Sequence, residues 1–459
     1  MSSRHPTHIG TRGGDASVFE KKPPPGAAVA AKVSGLVLAP QRRGWWLGAF
    51  GLSALLSLLF FAAIGYLLMT GVGIWGINIP VAWGFAITNY VWWIGIGMAG
   101  TFISAALLLT RQKWRASINR SAETMTVFAV SISGLFPILH LGRPWFFYWL
   151  APYPDIMNVW PQWRSALVWD FFAILAYLIV SLLFWYMGML PDFAVIRDRA
   201  RKRSQQIFYG LLALGWRGEV RHWQRFEMAS RLLAGMAVPL VFSVHSMVGQ
   251  DFAEGIVPGW HSTIFPPFFV AGALFSGFAM VLILVIPLRS VFGLHAFITS
   301  RHLNNMAKLL LATSLIVTYS YIMEVFMAWY SADPYEIAIT QNRMSGAYAP
   351  VYWATIFCNV LVPQVLWFKR IRLNPMALFV VGIVVVIGMW LERLMLIVTS
   401  LYRDFLPSAW GMFYPTLWDW IFLFGPIGFF AMLFLLFIRF APVASMFEIR
   451  KLSAEDKES

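Results

Sequence analysis

Ten apolar runs of about twenty residues, each long enough to cross a bilayer as a helix, leave this chain one broad kind of fold. They fall at about 45–70, 82–110, 119–142, 164–190, 226–250, 265–288, 304–331, 349–368, 375–400 and 416–440. Of 459 residues, 59% are apolar and only 12% charged, roughly half the ~25% charged share of a soluble domain. The pattern predicts an all-α polytopic membrane protein with ten transmembrane helices.

Loop charges supply the orientation. The formal charge is +14, and the basic residues flank spans rather than forming one surface, which excludes nucleic-acid binding. Of the 35 Lys and Arg, only Arg143, Arg164, Arg343 and Arg403 fall on the less basic side, while Arg231 and Arg393 lie inside spans. All others follow the positive-inside rule if both termini are cytoplasmic, and a missed span would invert every later loop. Residues 1–43 hold PPPG and seven Lys or Arg, a composition that predicts a flexible basic cytoplasmic tail without a secretory signal. The membrane domain is expected over 44–440 and a second cytoplasmic tail over 441–459. Within the domain, two four-helix bundles fit the loop lengths, 82–250 and 265–400, with two peripheral helices beside them.

Chemistry concentrates in the stretch 140–170, HLGRPWFFYWLAPYPDIMNVWPQWRSALVWD. His140 closes the third span, and Asp170 lies about 9 Å inside the fourth at 1.5 Å per residue. An ionisable group within a span is costly and reads as functional. If the flanking helices are antiparallel neighbours, His140 and Asp170 face each other under a lid of aromatics and prolines. Such a pair suits proton removal from a small amphipathic molecule such as a quinol. The fifth span brings His245, Asp251 and Glu254 toward the same end, and Arg143 adjoins His140. The aromatic outer loops, including 251–264 and 332–348, suit an interfacial belt or a platform for an external partner.

A second set lies in the seventh and ninth spans: Tyr321, Glu324, Glu392 and Arg393. Tyr321 and Glu324 share a helix face at i,i+3, as relay or hydrogen-bond partners would. Glu392 and Arg393 are either a structural pair or part of a proton route. The single cysteine, Cys358, excludes a cysteine-ligated iron–sulfur cluster held by this chain. Of eight histidines only His140 and His245 lie near span ends, too few for two stacked bis-histidine haems, and no metal site is expected.

The segments LFPILHLGRPWFFYWLAPYP, RSALVWDFF and WHSTIFPPFFVAGALFSGFAM resemble the polysulfide-reductase/NrfD family of membrane subunits. Within it the likeness is greatest to ActC, the quinol-binding subunit of bacterial alternative complex III. The resemblance covers about 44–440 and implies ten spans in two four-helix bundles, with no haem or metal of the chain's own. It further implies a multi-pass protein of the bacterial inner membrane, part of a respiratory or photosynthetic electron-transfer complex. In that setting it would oxidise menaquinol or a related quinol near the outer face. His140 and Asp170 would carry the chemistry, with Arg143, His245, Asp251 and Glu254 binding quinol or tuning the pocket. Tyr321, Glu324, Glu392 and Arg393 would form the proton route. The implied partners are an outer iron–sulfur or molybdopterin-like subunit, a multihaem cytochrome c and further membrane subunits. The alternatives are a subunit of the same family reducing quinone, or an anchor or proton conductor without quinol turnover.

Overall fold

A computed structural model describes residues 26–38, 44–150 and 163–458, and among these the regular structure is helical, with no strand. After α1 (Gly26–Leu38), the first two spans are α2 (Gly44–Thr70) and α3 (Gly84–Leu109). The third is α4 (Asn119–Ser133) continued by α5 (Leu135–His140). The break between them has a cause: Pro137 has no N–H to offer the carbonyl of Ser133. Next come α6 (Ala166–Arg199), the short α7 (Arg203–Leu212), α8 (Val220–Ala253), α9 (Phe265–Val291) and α10 (Ser300–Ser331). A surface helix α11 (Pro334–Ser345) precedes the eighth span, which starts as α12 (Ala349–Ile356). That span passes through a π turn at Phe357–Leu361 and a 3-10 stretch at Val362–Trp367. Pro363 cannot donate to the carbonyl of Asn359, so the regular ladder fails there. The chain closes with α13 (Lys369–Arg372), α14 (Pro375–Leu401), α15 (Leu417–Phe440) and α16 (Met446–Glu458). Among the described residues ten segments are long and apolar enough to span a membrane, where the hydropathy places them.

Contacts divide the spans into two rings. In the first, α3 packs on α4, α4 on α6, α6 on α8 and α8 back on α3. In the second, α9 packs on α10 and α14, the eighth span touches both, and α9 joins the rings by packing on α3 and α8. The remaining spans, α2 and α15, lie against one another beside the bundles. Lipid supplies no hydrophobic drive between helices, so close approach of small residues does the work. A Cβ on Gly277 of α9 would overlap Ala99 of α3, and one on Gly100 would overlap the backbone and side chain of α4 at Ala122 and Thr126. Polar bridges then fix the seam: Trp92 Nε1 donates to the Val386 carbonyl at 3.0 Å, and Trp390 Nε1 to Asn89 Oδ1 at 2.9 Å.

Three expectations need correction. Within the basic tail, 26–38 is a helix rather than a flexible segment. Val29, Ala30, Val33 and Val37 form one buried stripe on α1, which packs on α6, α15 and α16. Arg115 and Arg120, placed in a basic loop by sequence, are buried, because acids distant in sequence come to them. Arg120 Nη1 is 3.1 Å from Glu123 and Nη2 is 3.3 Å from Asp192, while Arg115 Nη1 holds Glu448 of α16 at 2.7 Å. The segment 332–348 holds a helix, α11 (Pro334–Ser345), where a loop was expected, started by Asp333, whose carboxylate accepts the Tyr335 and Glu336 N–H groups.

Candidate functional site

We term the side bearing the basic loops the basic face, and the side carrying His140 the far face. Among the described residues four acidic side chains of the two bundles, Asp170, Asp251, Glu324 and Glu392, fall in the helix halves nearer the far face, and Asp419 opens α15 on that side. In the first bundle, α6 begins after Ser165, and its buried positions Ala166, Asp170, Tyr177 and Ser181 recur at helical spacing on the side turned to α3. Asp170 is therefore aimed into the bundle. Its Oδ2 accepts a hydrogen bond from the Tyr90 hydroxyl of α3. Asp251, near the end of α8, lies within electrostatic reach of both Tyr90 and Asp170. Oδ1 of Asp170 and Oδ1 of Asp251 are both buried, with no hydrogen-bond partner among the described residues. A buried acceptor left open costs about 1–3 kcal/mol, so a donor belongs against each.

His140 ends α5 at the far face. Its Nε2 lies 2.9 Å from the carbonyl of Ala82 and its ring stacks on Trp75, centroids 6.2 Å apart at 16°. A carbonyl only accepts, so Nε2 carries the hydrogen and Nδ1 is the proton acceptor of the neutral ring. No hydrogen bond joins His140 to Asp170 among the described residues; Ala82 and Tyr90, respectively, are their partners instead. The expectation that the two side chains face each other as a direct pair is corrected accordingly. Most of the aromatic lid proposed between them, 151–162, lies outside the described residues. What is described of it, Trp145, Phe146, Phe147 and Trp163, is exposed. Glu254 stands at the C-cap of α8, within electrostatic reach of Asp251, and Arg143 pairs with no acid among the described residues.

His245 lies deeper, about 12 Å from the end of α8. It is wholly buried, and neither ring nitrogen has a partner among the described residues. Its Nε2 and Ser276 Oγ of α9 flank the space above Gly95, 3.8 and 3.7 Å from where a Cβ would stand. Arg393 of the second bundle is within electrostatic reach of His245. That guanidinium lies over the Phe269 ring at 4.0 Å and 3.0 Å from Glu392 Oε1. The polar groups of the two bundles thus approach one another near mid-depth.

In the second bundle the i,i+3 pairing of Tyr321 with Glu324 is replaced by two longer links. The Tyr321 hydroxyl donates to Glu392 Oε2 and accepts from Asn359 Nδ2 at 2.9 Å. Glu324 pairs instead with Arg343 of α11, which also donates to Ser400 Oγ at 2.7 Å and is 4% exposed. A small cavity of ≈ 20 Å³ touches Tyr321, Glu324 and Arg343, room for about one water.

Sequence reading missed Tyr90, Arg343 and Asn359. A tyrosine in an apolar run carries no charge signal, Arg343 lies between spans, and Asn359 is turned inward by a π turn that only Pro363 hints at. Among the described residues no three His, Cys, Asp or Glu side chains gather into a metal-binding group.

A family model, Polysulphide reductase, NrfD, matches residues 76–403. The chain is 26% identical over 374 residues to a putative dimethyl sulfoxide reductase membrane subunit of Halobacterium salinarum, an alignment covering 81% of this chain and 80% of that protein. It is 24% identical over 385 residues to a selenate reductase subunit of Mesobacillus selenatarsenatis, covering 79% and 86%. Both relatives are named as reductase subunits, so these likenesses reach the broad family and not alternative complex III in particular. With ten membrane-length helices among the described residues, eight of them in two bundles, and a match across most of the chain, this multi-pass protein belongs to the NrfD polysulphide reductase family of membrane subunits.

Proposed function

We propose that this chain is the quinol-oxidising membrane subunit of an electron-transfer complex. The observation that carries the reading is the pair of buried carboxylates near the far face, Asp170 and Asp251, each with an open acceptor oxygen. A quinol offers two hydroxyl donors and an apolar ring, which matches open acceptors inside an apolar bundle. One hydroxyl bonds Asp170 Oδ1, and Tyr90 holds the other carboxylate oxygen so that the open one points toward the ligand. As the quinol becomes quinone its two O–H bonds break, one proton passing to Asp170 and the other to His140 Nδ1, and Asp251 leads the protons outward. The two electrons leave to an iron–sulfur cluster of a partner on the far face, where the exposed aromatics of 145–147 lie.

The finer assignment rests on different supports. The HLGRPW stretch favours a complex of the alternative complex III type, with menaquinol as donor and a multihaem cytochrome among the partners. The two relatives named as reductase subunits favour a catalytic reductase partner instead, with the same quinol chemistry feeding it. In either case the basic face is read as cytoplasmic, and an archaeal relative means that the host membrane need not be bacterial. The membrane domain is read as a quinol bundle at 82–250 beside a second bundle at 265–400. In the second, Tyr321, Glu324, Glu392 and Arg393 carry protons, joined through the small cavity beside Arg343.

Asp170→Asn in the assembled complex tests the site. Quinol-dependent reduction of an artificial acceptor should fall by at least tenfold with the complex intact. Wild-type turnover in that variant would remove Asp170 from the mechanism.

A further inference from the structure

At the basic face, remote from the carboxylate site, a cavity of ≈ 540 Å³ opens among the ends of α3, α6 and α8 and the closing helix α16. Its walls combine two chemistries. Leu107, Leu108, Leu109, Phe184 and Phe226 supply an apolar side continuous with membrane-spanning helices. Arg111, Lys113, Arg115, Arg231 and Lys451 supply five cations against the carboxylates of Glu123, Glu227 and Glu448.

The carboxylates are already engaged. Glu448 bonds Arg115 and Asn119, Glu123 bonds Arg120 and Ser104, and Glu227 sits 3.6 Å from both Arg231 and Lys451. Arg111 and Lys113 have no ion-pair partner among the described residues. Arg111 is further held at φ 54°, in the left-handed region that a non-glycine residue adopts rarely. The cavity therefore has a positive mouth at the membrane interface and an apolar inner wall.

We propose that this cavity binds an anionic phospholipid, its phosphodiester between Arg111 and Lys113 and its acyl chains along Leu107–Leu109 and Phe184. A quinone would gain nothing from the unpaired cations, and a small soluble anion would leave the apolar wall unfilled. Basic pockets between membrane helices on a cytoplasmic side hold lipid headgroups by this division of labour. Because α16 forms one wall through Phe447, Glu448, Lys451 and Leu452, a bound lipid also bridges the closing helix to the first bundle.

The test is native mass spectrometry of the full-length chain in detergent, titrated with dioleoyl phosphatidylglycerol, dioleoyl phosphatidylcholine or inorganic phosphate. One saturable phosphatidylglycerol adduct is expected, with an apparent Kd raised about tenfold or more in Arg111→Gln/Lys113→Gln. Ser230→Trp, which fills the cavity from α8 without altering charge, should abolish the same adduct. Arg370→Gln, on the basic face but outside the cavity, should leave it unchanged. Equal binding of the two lipids would overturn the proposal, as would unaltered affinity in the double variant or in Ser230→Trp. Displacement of the lipid by millimolar phosphate would show a free-anion site instead and would also overturn it.

Discussion

Arg120→Met should be the most destabilising single change at the basic face, and the reason can be worked from its partners. The guanidinium donates to Glu123, to Asp192 and to the carbonyl of Gly188. All three ionic side chains are buried, at 1%, 1% and 0% exposure. Without Arg120, Glu123 keeps Ser104 and a longer contact to Arg115 at 3.5 Å, whereas Asp192 keeps no cation and only backbone N–H donors at the start of α16, those of Met446 and Phe447. The cluster already has three carboxylates, counting Glu448, against the two guanidiniums of Arg115 and Arg120, so the deletion enlarges an excess of negative charge. Removing one partner of a buried ion pair costs about 3–5 kcal/mol, whereas replacing all partners by neutral groups is close to neutral. The triple variant Arg120→Met/Glu123→Gln/Asp192→Asn should therefore recover most of the loss and leave Arg115 with Glu448 as a balanced pair. Cys358 is the sole cysteine and is half-buried, so melting can be followed with a thiol-reactive dye that reports one site. An unchanged melting temperature in Arg120→Met, or no recovery in the triple variant, would refute this account of the cluster.

Gly388→Ala should destabilise by about 1–3 kcal/mol through overpacking, because its Cβ would overlap Asn359 Oδ1 and Cys358 Cβ of the π turn; the same dye assay reads it. Asp333→Ala removes the N-cap of α11 and should cost about 1 kcal/mol, seen as faster proteolysis of the segment that carries Arg343. Tyr321→Phe breaks the hydroxyl bridge between Glu392 and Asn359. It should reduce proton release per electron in proteoliposomes while quinol binding is retained, and an unchanged proton yield would take Tyr321 out of the route.

The architecture was legible because hydrocarbon imposes a length on every span and the basic loops fix their alternation. Asp170, Glu392 and Arg393 stood out for the same reason: a charge in an apolar run is conspicuous. Their partners did not. Tyr90 is one aromatic among many, and its bond to Asp170 depends on how α3 and α6 turn toward each other. Arg120 looked like one more loop cation, since Asp192 and Glu448 are brought to it only by packing of α6 and α16. The i,i+3 spacing of Tyr321 and Glu324 was a true helix-face relation, but Arg343 and Glu392 offered each of them a better partner.

If the open carboxylate oxygens near the far face receive a quinol, a quinol analogue must bind there. The most direct test is a fluorescence-quenching titration of a quinol-analogue inhibitor against the purified chain, with Asp170→Asn measured alongside. Saturable one-site binding is expected, weakened in Asp170→Asn and unaffected by Tyr321→Phe. Absence of binding to folded protein, or equal affinity in wild type and Asp170→Asn, would contradict quinol binding at these oxygens.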